Sequence, residues 1–263
     1  MRTNAELGDL YNRVYRDGED KFFSKFSNGA DVSEANQLVL SAVDWAGKRV
    51  LDVGCGTGRV AAEIAARGAR FVTGIDYAEE AISKARKEHS RENLEFRCMT
   101  LEAWSEPVDC IISLGTLEHM DSPVLALKVM ARALKDNGKV VLTCPCFINI
   151  RGLVWMTLQL LQNIPMSLTD IHFLSPFDIE AMAAEAGMIL ERVDSCDFSK
   201  GNGDQMLVDL DKRLQNALRD AGIDNTRVPR LLEWMAKVSR SLALERGGPL
   251  MGATGFYLLH KSN

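Results

Sequence analysis

Two acids and three glycines carry the first chemistry legible in this chain. Asp52 lies in the run Leu51-Asp52-Val53, which leads into Gly54-Cys55-Gly56-Thr57-Gly58, and Asp76 closes the next apolar run, Phe71 to Ile75. Glycine lacks the Cβ that holds a ligand off the backbone. A strand, a glycine turn and a helix N-terminus therefore make a place where a small molecule meets main-chain N–H groups. An acid at the end of the second strand is placed to accept hydrogen bonds from the two hydroxyls of a ribose.

Proton transfer near neutral pH suits histidine, and the chain has four: His89, His119, His172 and His260. His89 falls on a charged helix end and His260 in the C-terminal tail, so both read as solvated. His119 and His172 follow carboxyl ends of strands, the edge at which open α/β sheets bind ligands. His119 is the leading candidate for a base, against a scaffold role in which Glu118 holds it. His172 is the second candidate, against a role fixing its loop.

The elements that must position these groups alternate. Strands are expected at Arg49 to Val53, Phe71 to Ile75, Leu94 to Arg97, Asp109 to Ser113 and Lys139 to Thr143, with late strands at Met188 to Asp194 and Gly255 to Leu259. Helices are expected at Arg59 to Arg67, Glu79 to Glu88 and Pro123 to Lys135, and from the Ser175-Pro176 cap to Ala186. Asp136-Asn137-Gly138 reads as the turn into the fifth strand. The fold class is α/β: a doubly wound, mostly parallel seven-stranded sheet with helices on both faces. It is read as a single domain, with a cap over 1–33, a core over 34–203 and 249–263, and a helical insertion over 204–248 before the last strand.

Three stretches fall outside the alternation. The N-terminal segment carries Tyr11, Tyr15, Phe22 and Phe23 at near-helical spacing, which suits closure over a cofactor or core packing. Phe147 to Met166 is apolar. It reads as a lid over an acceptor pocket, as packed helix or as a homodimer seam, in preference to a membrane-facing patch, because it has few basic residues for anionic lipid heads. In the third stretch Met206, Leu207, Leu210, Leu214, Ala217 and Leu218 recur at helical spacing and Leu231, Leu232, Trp234 and Met235 begin a second helix, a pair expected to fold over the sheet.

Bulk properties narrow the partners. The chain has 263 residues, 46% of them hydrophobic and 25% charged, as in an ordinary globular protein, and a net charge of -5 gives no general attraction for nucleic acid. Met1 to Asp20 contains no apolar signal region, so a cytoplasmic protein is expected, and Leu153 to Ile164 is too short to cross a bilayer. Six scattered cysteines read as small buried side chains, and Cys144-Pro145-Cys146 as a strand end rather than a soft-metal site.

The glycines alone do not choose a cofactor, because Gly56-Thr57-Gly58-Arg59-Val60-Ala61 also satisfies a dinucleotide fingerprint, G-x-G-x-x-A. Asp52 argues against NAD(P), since its carboxylate would face a pyrophosphate. S-adenosylmethionine has no phosphate, and its ammonium and sulfonium favour an anion there. That fingerprint would also start at Gly56 and leave Gly54 and Asp52 unexplained.

From Arg49 to about Asp194 the chain resembles the class I S-adenosylmethionine-dependent methyltransferases, in particular the branch holding ubiquinone-biosynthesis O-methyltransferases and related small-molecule enzymes. Val50 to Gly58 is similar to the first motif, Gly74-Ile75-Asp76-Tyr77-Ala78 to the acidic second, Leu117-Glu118-His119-Met120 to the segment after strand four, and Leu134 to Lys139 to the turn before strand five. The resemblance implies a Rossmann-like methyltransferase fold. It implies Gly54, Cys55 and Gly56 around the methionine part, Asp76 and Tyr77 on the ribose, and Thr100-Leu101 beside the adenine. Ser113 and Leu114 would lie near the amino acid moiety and the transferred methyl. Thr100 stands where the family often has Asp. Relatives that bind a divalent cation have an acid three positions before the glutamate, where this chain has Gly115, so no metal requirement is expected. No Asn/Asp-Pro-Pro-Tyr/Phe run of base-modifying DNA enzymes follows strand four, where Ser113-Leu114-Gly115-Thr116 stands. The expected reaction is in-line methyl transfer to a small-molecule acceptor, most simply a hydroxyl, with S-adenosylhomocysteine as product. An NAD(P)-dependent oxidoreductase and a non-catalytic S-adenosylmethionine-binding protein are the alternatives. The acceptor is not readable: a phenol, a quinone precursor, a sugar hydroxyl or an amine fits, in a pocket expected between Tyr15, Ser113, His172 and the insertion.

Overall fold

The computed structural model describes residues 34–164, 172–244 and 248–262. The expected N-terminal cap, with Tyr11, Tyr15, Phe22 and Phe23, lies outside the described residues. Seven strands form one sheet: β1 (Arg49–Val53), β2 (Phe71–Asp76), β3 (Leu94–Cys98), β4 (Val108–Leu114), β5 (Leu134–Pro145), β6 (Met188–Cys196) and β7 (Thr254–Lys261), in the order β3-β2-β1-β4-β5-β7-β6. β7 pairs antiparallel with both neighbours, and the pairings from β3 across to β5 are parallel. This is the expected doubly wound sheet.

Both faces are covered, so the central strands are apolar almost throughout rather than alternating. Leu51, Val53, Ile75, Ile111, Val140, Leu142, Tyr257 and Leu259 pack on one side with Leu127 and Met130. Val50, Val72, Cys110, Ile112, Val141, Phe256 and Leu258 pack on the other with Ile64 and Ile82. The facing helices are α1 (Glu34–Ser41), α2 (Arg59–Ala66), α3 (Glu79–Glu88), α4 (Pro123–Ala133) and α6 (Pro176–Glu185). Ser122 and Ser175 cap α4 and α6 with their hydroxyls, each followed by proline, and Asp178 completes a capping box at α6. After β3 the chain returns to the other side of β1. The strand order therefore reverses between β1 and β4, and the carboxyl ends of those two strands open the crevice where ligands bind in such sheets.

Most element ends fall within one or two residues of expectation, and the largest shift lies where α4 meets β5. α4 stops at Ala133 rather than Lys135, and β5 begins at Leu134, before the Asp136-Asn137-Gly138 turn, which becomes a bulge inside the strand. Burial decides this: Leu134 is 3% exposed in the core and pairs with Val108, and Asn137 at φ 60° absorbs the extra residues before Lys139 meets Cys110.

The late insertion is a helical pair, α8 (Asp204–Asp220) and α9 (Val228–Ser241), preceded by the short α7 (Phe198–Asn202), which was not expected. The pair does not lie on the sheet. Met206, Leu210, Leu214, Val228 and Met235 pack against Phe147 and Trp155, so the apolar stretch, helix α5 (Ile150–Gln162), joins the insertion in a separate core. Trp155 faces that core, whereas Leu153, Leu160 and Leu161 point outward. No helix among the described residues is long and apolar enough to cross a membrane.

Candidate active site

The glycine loop is shaped by what lies behind it. Gly54, Gly56 and Gly58 have φ of 71°, 53° and 79°, a region costly for residues with a Cβ. A Cβ on Gly54 would come within 2.5 Å of the Thr116 side chain, and one on Gly58 within 2.4 Å of the Phe96 ring. The amides of Gly54 and Cys55 both donate to Ile75 O, at 2.8 and 3.0 Å, which draws the loop over the end of β2.

There Asp76 completes the anchor. Its Oδ2 accepts from Gly56 N at 3.0 Å and its Oδ1 from Ala78 N at 2.8 Å. A carboxylate has about four acceptor sites, so beside the amides of Gly56, Ala78 and Tyr77 it keeps capacity for a ligand hydroxyl. Burial raises the Asp76 pKa above its usual range against the pull of these amides. Asp52, 3% exposed at the end of β1, is pushed up to about 7 by burial first and by Asp76 second, with an Ala61 amide of α2 opposing. This changes the argument against a pyrophosphate, because near neutrality Asp52 is only partly ionised and its charge alone does not decide the cofactor. The same two acids and burial hold the Cys55 thiol well above its ordinary pKa, so it is not a thiolate nucleophile. Burial and then Asp76 push half-buried Tyr77 to about 12.

Across the crevice, at the end of β4, Ser113 is fully buried and its Oγ has no hydrogen-bond partner. Half-buried Leu114 follows, and Gly115 turns the chain at φ 61°, its amide donating to Thr143 O at 2.8 Å. The next residues form a 3-10 turn, Leu117–His119. Glu118 is 3% exposed, and its Oε1 lies 4.0 Å from His119 Nε2. His172 clamps this turn from outside: its amide donates to Glu118 O at 3.0 Å and its Nε2 meets Met120 O at 2.9 Å. A carbonyl only accepts, so Nε2 carries the proton and Nδ1 is the other face of the ring. On the far side of the loop, Thr100 is exposed and Leu101 is buried where a 3-10 turn follows β3. His89 and His260 lie apart from this crevice, on α3's C-cap and on β7.

The expected residues thus gather along the carboxyl edge of β1, β2, β3 and β4. The clamp of His172 on Met120, and the packing of Thr116 and Phe96 behind the glycines, were not read from the sequence, because nothing in their local pattern marks contacts between segments 38 to 62 residues apart.

A doubly wound sheet with an acid-flanked glycine loop at its switch point defines a binder of nucleoside-containing cofactors. Comparison with known proteins narrows this class. Residues 50–138 match a family described as methyltransferase domain. The ubiquinone biosynthesis O-methyltransferase of Neisseria meningitidis serogroup C (strain 053442) is 32% identical over 206 residues, covering 71% of this chain and 84% of that protein. An S-adenosylmethionine dependent methyltransferase from Mesorhizobium loti shares the fold, with a TM-score of 0.56 at 17% identity over 89% of this chain and 99% of that one. A chain of the Haloferax volcanii complex between the Trm112 methyltransferase activator and a methyltransferase shares it at TM-score 0.65 and 16% identity over the full length of both. This chain belongs to the class I S-adenosylmethionine-dependent methyltransferases.

The oxidoreductase and non-catalytic readings fall with that membership. The residues fit the cofactor: two desolvated acids at the mouth of the loop suit a ligand that brings positive charge and ribose hydroxyls, and Ser113, whose Oγ is unpartnered, lies at the same end of β4.

Proposed function

We propose that the enzyme methylates a hydroxyl of a small-molecule acceptor, with His119 as the base and His172 as the residue that positions it. S-adenosylmethionine, when bound, supplies a methyl already activated on sulfonium. The protein's own tasks are then alignment, exclusion of water and removal of one proton. We assign the cofactor to Asp52, Gly54, Cys55, Gly56, Gly58, Asp76, Tyr77, Leu101, Ser113 and Leu114, with exposed Thr100 at its margin.

The observation that carries this reading is the clamped turn. His172 holds the carbonyls of Glu118 and Met120, the residues on either side of His119. The Nε2 bond engages the His172 ring in support of the turn, and we take His119, beside the Glu118 carboxylate, as the imidazole that accepts the proton. The O-methyltransferase names of the relatives support an oxygen acceptor.

His119→Ala is expected to lower kcat by about two orders of magnitude or more with unchanged affinity for S-adenosylhomocysteine. His172→Ala is expected to lower kcat less, by about tenfold, and to leave the form of the pH profile intact. Steady-state kinetics with calorimetry, and mass spectrometry to locate the methyl on oxygen, test the assignment. Normal turnover in His119→Ala would remove it from the base role, and a methylated nitrogen or carbon would overturn the hydroxyl acceptor.

A further inference from the structure

The crevice opens because its two rims bend apart. β1 and β4 pair for the last time at Val53 and Ser113. Beyond that pair the cofactor loop leans over β2, with the Gly54 and Cys55 amides donating to Ile75 O, whereas the chain after β4 leans over β5, with the Gly115 amide donating to Thr143 O. Thr116 spans the gap between them. Its hydroxyl has one hydrogen to give and lies 3.4 Å from Val53 O and 3.2 Å from Leu114 O, so that hydrogen is shared between the ends of the two strands. The side chain also takes the room that a residue larger than glycine would need at position 54, its Oγ1 and Cγ2 each 2.5 Å from where a Cβ would stand.

The main chain of Thr116 belongs to the opposite rim. Thr116 is the N-cap of the 3-10 turn Leu117–His119, and its carbonyl accepts from the His119 amide at 3.0 Å. Just before it Gly115 is exposed, at φ 61°, a joint whose own backbone tolerates many settings. His172 supports the outer side of the turn through Glu118 O and Met120 O, and Thr116 ties its inner end to β1 and Gly54. In-line transfer tolerates little error in this spacing, since a misplacement of about 1 Å costs about 100-fold in rate.

We propose that Thr116 is a positioning residue that holds the base-bearing turn in register with the cofactor loop, so that a cofactor seated at Gly54 also steadies His119. This rests on the readings that put the cofactor at Gly54 and the base at His119. Thr116 acts through those two residues, and its hydroxyl serves as a donor to strand ends, not as a second base.

The test is hydrogen exchange of the His119 amide in the full chain, followed by 15N–1H spectra of protein labelled on histidine, the resonance being assigned by its loss in His119→Gln. S-adenosylhomocysteine is the probe. Thr116→Val keeps the shape against Gly54 and removes the hydroxyl; Thr116→Ser keeps the hydroxyl and removes the methyl. Saturating S-adenosylhomocysteine is expected to slow exchange at least about fivefold in the parent and in Thr116→Ser, and less than about twofold in Thr116→Val. Calorimetry is expected to find the Kd for S-adenosylhomocysteine in Thr116→Val within about twofold of the parent's, which shows the loop still folded and occupied. Equal slowing in all three proteins, no slowing in the parent, a Thr116→Ser that behaves as Thr116→Val does, or a Thr116→Val that no longer binds the probe overturns the register. Failure of the base reading would show elsewhere, as normal turnover in His119→Ala, while the exchange pattern stands or falls without it.

Discussion

Asp76 Oδ2 accepts the Gly56 amide hydrogen at 3.0 Å, a bond across 20 residues that ties the cofactor loop to the second strand. The acid expected to hold a ribose therefore already shapes the loop. Asp76→Ala removes both roles and is expected to weaken S-adenosylhomocysteine binding at least about tenfold, as loss of a charged hydrogen-bond partner implies. Calorimetry measures this, and unchanged affinity would refute the role.

Asp52 links stability to pH. Its ordinary value of 3.8 is raised to about 7 in the fold, so between those values the folded chain holds a proton that the unfolded chain has lost. Stability from this group therefore falls as pH rises from about 4 to about 7, by about 4 kcal/mol at most. Asp52→Asn is expected to raise Tm at pH 8 relative to the parent, to flatten the pH dependence between 4 and 7, and to weaken cofactor binding. Thermal unfolding in a pH series would show an unchanged slope if Asp52 did not carry the effect.

Gly58 is confined twice, by φ of 79° and by the Phe96 ring 2.4 Å from where a Cβ would lie. Gly58→Ala is expected to cost about 3 kcal/mol, from overpacking together with left-handed backbone strain. Adding Phe96→Leu should return the steric part and leave about 1 kcal/mol. Urea unfolding of the single and double variants separates the two causes, and a neutral Gly58→Ala would mean that the loop repacks freely.

Asn202 fixes the helical layer to the sheet. Fully buried, it accepts from Ile150 N at 3.1 Å at the start of α5 and donates to Met251 O at 2.7 Å before β7, and its own carbonyl accepts from Ser239 Oγ of α9. Asn202→Ala leaves two part-buried backbone groups, Ile150 N and Met251 O, without this partner and is expected to cost about 2 kcal/mol. Urea unfolding of the variant beside the parent measures this, and an unchanged midpoint would refute the role.

What the sequence determined by itself is whatever local pattern encodes. The alternation of apolar runs and helical segments predicted seven strands. The glycines after Leu51-Asp52-Val53 and the acid at Asp76 marked the cofactor edge, because strand, turn and helix follow one another within some 30 residues. The structure alone decided what depends on distant segments meeting. Local signals ended α4 at Lys135, but the burial of Leu134 pulled that residue into β5. The periodicity of α8 and α9 announced two helices but not their partner, because an apolar stripe names no surface, and they chose α5 rather than the sheet. The clamp of His172 on the turn that carries His119 was also invisible, since Met120 and His172 are 52 residues apart and the bond between them depends on how β5 and α5 return the chain to β4. Even Asp52 changed its meaning, because burial and a neighbouring acid set its charge, and neither is written in its own position.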